Sequence, residues 1–482
     1  MLKGSLPMLE DSKPKEECGV FGIYAPGEDV ARLAFYGLFT LQHRGQESAG
    51  IGVLDGKRYF LHKKMGLVNQ VFDEERIAKM QGNIAVGHNR YSTTGTSNIK
   101  NAGPFVSRRK METFVVAHNG NVVNAASLKK VLEKKGKKFK STCDSEILAE
   151  LIADSKYKDP VKKIFSMMYR VSGAYSLVIG TKNELIGVRD PLGFRPLSLG
   201  KLNGWYVLAS ESCAFSAIGA SFIREIEPGE MVVINSKGLS SFRFSAKKRA
   251  SFCIFEYVYL ARPDSILNNQ SVYLSRENLG KLLAKEHPAE ADIVIAVPDS
   301  GVAAAIGYSQ ESGLPYREGL IKNRYIARTF ILPDQRMRDL GVKMKLSPLS
   351  EVVSGKRVVL VDDSIVRGTT SLKIIRLLKE AGAKKVHVRI SSPPIKNPCY
   401  YGVDMPNRED FIANERGVEE IRRFIEADSL GYLSVENMIK ATGESENSVC
   451  AACFTGRYPL KGEFLNEINK ETLEKKLEGA IL

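Results

Sequence analysis

A buried-strand pattern lies between residues 357 and 370, which read RVVLVDDSIVRGTT. The four apolar residues Val358–Val361 precede two aspartates and a short loop, and an apolar-periodic segment follows. An uninterrupted apolar run that ends in turn residues is typical of a parallel strand that is covered on both faces. The pattern therefore predicts a strand, an acidic pair, a loop and a helix in succession.

The residues after such a strand lie at the edge of the sheet where open α/β folds bind ligands. Backbone N–H groups of the loop and of the helix N-terminus suit a phosphate. The carboxylates of Asp362 and Asp363 suit a pair of ribose hydroxyls or Mg²⁺, which prefers oxygen ligands. For an isolated Asp-Asp-Ser the alternative is an ordinary helix N-cap, because short motifs recur by chance.

The full run resembles the signature of the type I phosphoribosyltransferases, which bind 5-phosphoribosyl-1-pyrophosphate (PRPP) there. The resemblance implies that Asp362 and Asp363 hold the ribose hydroxyls. It also implies that the loop after them holds the 5-phosphate, with expected contacts at Ser364, Arg367, Gly368, Thr369 and Thr370.

A second turn follows the apolar run DIVIAV and contains small residues that let a backbone approach an anion. In the same resemblance it is the pyrophosphate loop, with expected PRPP contacts at Asp299, Ser300 and Gly301. The expected Mg²⁺ contacts are Ser300, Asp362 and Asp363. The basic connector 322–345 that comes next resembles the mobile flap of this family, and a merely solvated loop is the alternative.

The first half of the chain has a different pattern. Short apolar segments such as FVVAHNG, AYSLVIG and EMVVIN predict strands, and helical stretches such as SEILAELIADS lie between them. This order predicts a mixed domain with large sheets rather than a βαβ repeat.

The polar signatures in this half resemble the class II glutamine amidotransferases, whose glutaminase domain is an N-terminal nucleophile hydrolase with a four-layer αββα sandwich. They are CGVFG at Cys18, GHNRYSTTG, HNGN and CDSE. The resemblance implies that Cys18 is the nucleophile and that Asn119 and Gly120 form the oxyanion hole. It places Arg90 on the carboxylate of the substrate glutamine and Asp144 on its ammonium group. A surface salt bridge for Arg90 and a helix N-cap for Asp144 are the alternatives.

Cys18 has to become the first residue for this chemistry, because the base in the family is the α-amino group of the cysteine itself. A free α-amine has a pKa of about 7.7–8.0, so it exchanges protons readily near neutral pH. We therefore expect residues 1–17 to be a propeptide that is cleaved between Glu17 and Cys18.

The two halves in this order resemble the amidophosphoribosyltransferases, so the expected reaction is the glutamine-dependent amination of PRPP to 5-phosphoribosylamine, the first committed step of purine synthesis. The expected fold class is a two-domain α/β and α+β chain, with the αββα sandwich followed by a parallel-sheet transferase domain. Expected boundaries are 1–17 propeptide, 18–247 glutaminase, 248–403 transferase and 404–482 a C-terminal helical region. The family is usually a homo-oligomer that purine nucleotides inhibit.

Other glutamine-dependent enzymes, such as asparagine synthetase, share the first domain but do not use PRPP. A PRPP-sensing regulator would have no reason to keep Cys18 with Asn119 and Gly120.

Four of the seven cysteines, at positions 253, 399, 450 and 453, permit a closed site of four thiolates. Such a site suits zinc or an iron–sulfur cluster, and four buried free thiols are a further alternative. The contexts CIFEY, NPCYYG and CAACFTG resemble the metal-bearing branch of the family, which implies a [4Fe–4S] cluster on Cys253, Cys399, Cys450 and Cys453.

Net charge and the distribution of apolar residues limit the expected classes of binding partner. The net charge is +15, but the basic residues are scattered and no nucleic-acid-binding signature is present, so small anionic substrates are the expected partners. No apolar run approaches a bilayer-spanning length, and residues 1–17 lack the apolar core of a signal peptide. We therefore expect a cytoplasmic protein without membrane or nucleic-acid partners.

Overall fold

The structure is a computed structural model that describes residues 18–56, 58–91, 97–109, 112–244, 249–323, 345–405, 408–460 and 473. The expected propeptide, the boundary at 247/248 and residues 324–344 of the basic connector lie outside the described residues. None of the helices in the described part of the chain is long and apolar enough to cross a bilayer.

The described part of the first domain contains thirteen strands in two antiparallel sheets. In chain order the strands are β1 Gly19–Tyr24, β2 Ser48–Asp55, β3 Arg58–Met65, β4 Ile84–Arg90, β5 Phe105–Arg109, β6 Glu112–Val122, β7 Gly173–Gly180, β8 Leu185–Arg189, β9 Ser198–Leu202, β10 Trp205–Ala209, β11 Ser221–Glu225, β12 Glu230–Asn235 and β13 Gly238–Arg243. The helices are α1 Val30–Thr40, α2 Val68–Val71, α3 Glu74–Lys79, α4 Ala125–Lys134, α5 Asp144–Ala153, α6 Pro160–Met168 and α7 Cys213–Ser216, with a 3₁₀ turn at Ile99–Asn101.

The two sheets pack face to face. One has the order β11-β9-β10-β1-β4-β2-β3 and the other β13-β12-β8-β7-β6-β5. Buried residues of both sheets, among them Val20, Val86 and Val178, form the layer between them. Helix α1 packs against the outer face of the first sheet and α5 against that of the second. The expected αββα sandwich is therefore confirmed.

The second domain is built around a parallel sheet with the order β17-β20-β21-β22. Its strands are β14 Phe252–Cys253, β15 Ile266–Leu267, β16 Gln270–Ser271, β17 Ile293–Ala296, β18 Leu320–Lys322, β19 Leu346–Pro348, β20 Arg357–Asp362, β21 Lys385–Ile390, β22 Ser429–Tyr432 and β23 Val449–Cys450. The helices are α8 Val272–Glu286, α9 Val302–Ser312, α10 Ser350–Val353, α11 Thr369–Glu380, α12 Ile412–Glu415, α13 Val418–Phe424, α14 Val435–Ala441 and α15 Ala452–Thr455. A π-helical turn spans Glu256–Leu260 and a 3₁₀ turn spans Arg408–Asp410.

One sequence-based expectation for this domain is corrected. The region after residue 404 is not only helical, because Ser429–Tyr432 pairs with β21 and forms the fourth strand of the transferase sheet. The segment CIFEYVYLARPDS has the β-branched and aromatic residues of a strand, but only its first residue, Cys253, belongs to one. Residues Glu256–Leu260 turn into a helix instead, since tertiary contacts override a weak propensity.

Helices α8 and α9 lie so close together that glycine is required at their contact. A Cβ atom added at Gly280 would lie 1.8 Å from the carbonyl oxygen of Ala304, and one at Gly307 would lie 1.9 Å from that of Glu277. The helix backbones therefore touch directly, which fixes α8 against the transferase sheet.

We expect Gly280→Ala to lower the free energy of unfolding by about 2 kcal/mol, because overpacking against a backbone carbonyl outweighs the gain in helix propensity of about 1 kcal/mol. Urea denaturation measures the change. The matched control is Gly417→Ala, where the nearest atom to an added Cβ is 3.7 Å away. An unchanged denaturation midpoint for Gly280→Ala would contradict the proposed close contact.

Candidate active sites

Four of the five predicted glutaminase residues, all except Asn119, line one pocket. Cys18 directly precedes β1, Arg90 ends β4, Gly120 lies in β6 and Asp144 begins α5. All four line this pocket, together with Tyr91, Cys143, Ser145 and the two histidines of the neighbouring strands, His88 and His118. Strand β4 pairs with β1, and β6 faces them from the second sheet, so the sandwich itself brings these residues together.

The oxyanion-hole pair has the features that its predicted role requires. Asn119 is fully buried, and neither polar atom of its side chain has a hydrogen-bond partner among the described residues. An unsatisfied buried amide costs about 1–3 kcal/mol, so native proteins keep one mainly where function uses it. Gly120 has φ +141°, and a Cβ there would lie 2.1 Å from the carbonyl oxygen of Ala174. Only glycine fits this position.

Among the described residues, no side-chain base accepts a hydrogen bond from the Cys18 thiol. Its Sγ atom donates to the carbonyl oxygen of Tyr91 at 3.5 Å. Burial raises the pKa of Cys18 to about 12, although the charge of Arg90 works in the opposite direction. Burial also lowers the pKa of His88 to about 3, and its Nε2 atom lies 3.0 Å from the carbonyl oxygen of His118. His88 is therefore neutral and makes a structural hydrogen bond rather than serving as the base.

The two glutamine-binding candidates are both buried charges. Arg90 lies 3.4 Å from Glu47. Asp144 accepts a hydrogen bond from the backbone N–H of Val122 at 2.9 Å, and its carboxylate lies 3.6 Å from Nδ1 of His118. Burial alone would raise the pKa of Asp144, but His118 and the Val122 N–H hold it below its ordinary value. Asp144 is the first residue of α5 and Cys143 is its N-cap, so the N-cap alternative for Asp144 is wrong.

The predicted PRPP residues meet at one edge of the parallel sheet. Strands β17 and β20 are neighbours, with Ala296 opposite Val361, so the loops that follow both strands emerge side by side. A Cβ at Gly301 would lie 2.5 Å from the carbonyl oxygen of Val361, which shows how closely the first loop approaches the second strand.

The acidic pair lies at this edge and is almost completely buried. Asp362 ends β20, and its carboxylate accepts the backbone N–H of Asp363 at 2.9 Å. The hydroxyl of Ser364 donates to Asp363 at 2.6 Å. These bonds hold both carboxylates in place after the strand.

The loop ends in a helix start suited to an anion. Gly368 has φ +75° and caps α11 without a side-chain hydrogen bond, and Thr369 and Thr370 are the first helical residues. Arg367 lies 3.3 Å from Asp410. In the other loop, Asp299 is exposed and pairs with Lys322 at 2.7 Å, while Ser300 is half-buried between Asp299 and Gly301.

The four predicted cluster ligands line a second pocket of about 350 Å³. Cys253 and Cys450 are opposite each other in the parallel pair β14–β23, and Cys399 and Cys453 complete the set. Aromatic side chains and Arg195 form much of the remaining wall. Burial raises the pKa of Cys450 to about 12 and that of Cys453 well above its ordinary value. Among the described residues, no group of three or more His, Cys, Asp or Glu is arranged to hold a single metal ion.

The sequence analysis missed a network of buried charges between the domains. Arg44 and Arg195 of the first domain meet Glu256 of the second, and Glu211 joins them from the turn after β10. All four side chains are at most 1% exposed. The one feature of the sequence that could have indicated this network is the charged residue Glu256 within the otherwise apolar run CIFEYVYL.

Known families account for both halves of the chain. A family model described as a glutamine amidotransferase domain matches residues 88–217, and one described as a phosphoribosyl transferase domain matches residues 264–403. The amidophosphoribosyltransferase of Synechocystis sp. is 53% identical, with 93% of this chain and 92% of the relative covered. The enzyme of the same name from Bacillus subtilis is 49% identical, with 97% and 98% covered.

Solved structures agree with these relatives. A structure described as the allosteric regulatory enzyme of purine biosynthesis superposes with a TM-score of 0.88 at 49% identity, covering 92% of this chain and 96% of the other. Glutamine PRPP amidotransferase from B. subtilis, complexed with ADP and GMP, gives a TM-score of 0.88 at 48% identity, covering 92% and 98%. At this identity over nearly its full length, the chain belongs to the amidophosphoribosyltransferase family.

Proposed function

We propose that this chain releases ammonia from glutamine in its first domain and transfers it to PRPP in its second, giving 5-phosphoribosylamine, glutamate and pyrophosphate. This is the first committed step of purine synthesis. The observation that carries the proposal is the pocket in which Cys18 meets Gly120, Arg90 and Asp144, next to Asn119, whose amide has no hydrogen-bond partner among the described residues.

In the glutaminase half-reaction, Cys18 attacks the side-chain amide carbon of glutamine. The thiol proton moves to the α-amino group that removal of residues 1–17 creates, because the buried thiol stays protonated without a base. The Asn119 amide and the Gly120 N–H stabilise the tetrahedral oxyanion. The C–N bond then breaks, ammonia leaves with the proton, and water hydrolyses the thioester to glutamate. Arg90 binds the substrate carboxylate and Asp144 its ammonium group.

In the transferase half-reaction, the lone pair of ammonia attacks C1 of PRPP and the bond from C1 to the pyrophosphate oxygen breaks. Asp362 and Asp363 accept hydrogen bonds from the ribose hydroxyls. The backbone N–H groups between Ser364 and Thr370 hold the 5-phosphate, with Arg367 beside them. Asp299, Ser300 and Gly301 receive the pyrophosphate.

Magnesium fits the oxygen donors at this edge. Ser300, Asp362 and Asp363 are the residues that would hold it, and the ion would neutralise charge on the departing pyrophosphate. Exclusion of water from the site keeps ammonia from being protonated and lost.

We also propose a [4Fe–4S] cluster on Cys253, Cys399, Cys450 and Cys453. Four thiols that share one pocket supply the donor set of such a cluster, and Arg195 in the same wall offsets negative charge. The role is structural, since nothing in the reaction needs electron transfer. It would fasten the C-terminal segment 449–455 to the transferase domain, where β14 and β23 already pair.

Regulation and assembly follow the family in this proposal. The B. subtilis relative forms a complex with ADP and GMP, which supports feedback inhibition of this chain by purine nucleotides. We propose a homo-oligomer as well.

Removal of residues 1–17 can be tested on the active protein. Active protein should have the mass of a chain that begins at Cys18, because only that form has the α-amine that activates the thiol. Intact-mass spectrometry measures this directly. A variant with an alanine inserted between Glu17 and Cys18, processed to begin at that alanine, is the matched control and should lack glutaminase activity. A fully active chain that retains Met1 would refute the proposal.

The two half-reactions can be tested separately. Cys18→Ala should lower glutamine-dependent turnover by at least about a thousandfold, because the nucleophile is lost. Turnover with free ammonia and PRPP should stay within about threefold of the natural chain, since this part of the chemistry belongs to the other domain. Pyrophosphate release measures both activities. An equal loss of both would contradict the division of labour.

The proposed cluster in the cysteine pocket can be tested by metal and sulfide content. Protein purified without oxygen should be brown and should contain iron and labile sulfide in equal amounts, and Cys450→Ser should lose both. Cys213→Ser, which alters a buried thiol outside this pocket, is the matched control and should keep them. Stoichiometric zinc, or protein without bound metal, would show that the assignment is wrong.

A further inference from the structure

Asn101 ends a short 3₁₀ turn between the two sheets of the first domain and is almost completely buried. Its side-chain amide makes two hydrogen bonds to one residue. The Nδ2 atom donates to the hydroxyl of Thr142 at 2.9 Å, and the Oδ1 atom accepts the backbone N–H of Thr142 at 2.9 Å. Thr142 precedes Cys143 and Asp144, so Asn101 contacts the chain two residues before a side chain of the glutaminase pocket.

The segment 137–143, which leads to Asp144, contains no helix or strand, so side chains bind its backbone instead. The N–H groups at positions 140 and 141 donate to the carboxylate of Glu146, and the one at position 143 donates to the hydroxyl of Ser141. These bonds are local. The N–H of Thr142, in contrast, bonds to Asn101, which lies 41 residues away in sequence. Because buried N–H groups need partners, Asn101 determines where the start of α5 lies.

The turn that carries Asn101 is fastened to the first sheet. Lys63 on β3 donates from its Nζ atom to the carbonyl oxygens of Ala102 and Pro104, at 2.5 and 3.3 Å. The same ammonium group lies 4.6 Å from the centroid of the Phe105 ring, where β5 begins. Asn101 is therefore held by the sheet that also contains β1 and β4.

The proposed contacts to glutamine are divided between the two sheets. Cys18 precedes β1 and Arg90 ends β4, both in the first sheet, whereas Asp144 begins α5, which packs on the second. A glutamine with its amide at Cys18 and its carboxylate at Arg90 reaches Asp144 only if the start of α5 keeps its place relative to the first sheet. The Asn101–Thr142 pair connects these two supports directly.

We propose that Asn101 is a positioning residue that holds Asp144 where the ammonium group of glutamine binds, and that it thereby makes the domain select substrates with this group. The inference rests on the proposed function, in which Asp144 binds the ammonium. Without the Asn101 amide, Thr142 loses both bonds and the start of α5 loses its connection to the first sheet. The carboxylate of Asp144 then shifts, while Cys18 and Arg90 stay in place.

The test compares glutamine with 4-carbamoylbutanoate, which is glutamine without its α-amino group. The value of kcat/KM is measured for both in the chain that begins at Cys18, from the pyrophosphate released with PRPP present. If the analogue turns over too slowly, its inhibition constant against glutamine is compared instead. The preference is the ratio of the two values, and we expect the natural chain to favour glutamine.

Asp144→Asn should lower the preference at least about thirtyfold, because it removes one partner of a buried ion pair. Asn101→Ala should lower it at least about tenfold, since a displaced carboxylate binds the ammonium poorly. The loss should lie in kcat/KM for glutamine, and the value for the analogue should stay within about threefold of the natural chain.

Ser107→Ala is the matched control. Ser107 is also buried, and its hydroxyl donates to Glu150 of α5 at 2.6 Å, so this variant removes a bond to the middle of the same helix and not to its start. Its preference should stay within about twofold of the natural chain. Alkylation of Cys18 by iodoacetamide, which has neither an ammonium nor a carboxylate, is followed by mass spectrometry. An unchanged rate shows that the pocket of a variant is intact.

An unchanged preference in Asn101→Ala would overturn the proposal, and so would an equal fall in Ser107→Ala. If the pocket of Asn101→Ala is not intact, Thr142→Val takes its place, since it removes the hydroxyl but keeps the backbone N–H. Its preference should fall at least about threefold, and an unchanged value would again overturn the proposal. Failure of the proposed function would be seen separately, as an Asp144→Asn variant that keeps the full preference.

Discussion

The structure depends on a buried group of charges at the domain junction. Two arginines and two glutamates, all nearly inaccessible to water, meet where the glutaminase domain contacts the transferase domain. Removing ions from water is costly, and a buried ion is tolerated only when its partners are complete. Glu256 comes from the second domain and Arg44 and Arg195 from the first, so this carboxylate meets both arginines only across the junction. The second domain therefore supports the surroundings of Cys18, because Arg44 also donates to the carbonyl oxygen of Cys18.

The chemistry of the pocket follows from this arrangement. Burial keeps the Cys18 thiol protonated, while the amide of Asn119 is held without a partner among the described residues. Both features lower the stability of the protein without substrate but serve the reaction. The mature α-amine can accept the proton of the thiol, and the Asn119 amide can donate to the oxyanion. In the transferase domain, hydrogen bonds hold the buried carboxylates of Asp362 and Asp363 at the sheet edge. This arrangement suits a substrate with two adjacent hydroxyls.

Much of this could be predicted from the sequence, because local patterns determine it. The apolar run before Asp362 predicted its strand, and the family signatures singled out Gly120 and Gly368, which have φ +141° and +75° in the structure. The missed features depend on contacts between distant segments. Glu256 lies in a stretch with strand propensity that turns helical because its carboxylate faces Arg44, 212 residues away in sequence. Ser429–Tyr432 joins the sheet through pairing with β21, which no local pattern between two helices indicates.

The central claim is that the buried charges at the junction hold the Cys18 pocket in its shape, and the reactivity of Cys18 tests it most directly. The rate at which a diazoketone analogue of glutamine alkylates Cys18 would be measured in the chain that begins at Cys18, in the natural sequence and in Glu256→Gln. The account predicts an at least about tenfold slower reaction in Glu256→Gln, because Arg44 loses the carboxylate that holds it against the carbonyl oxygen of Cys18. An equal rate in the folded variant would contradict it.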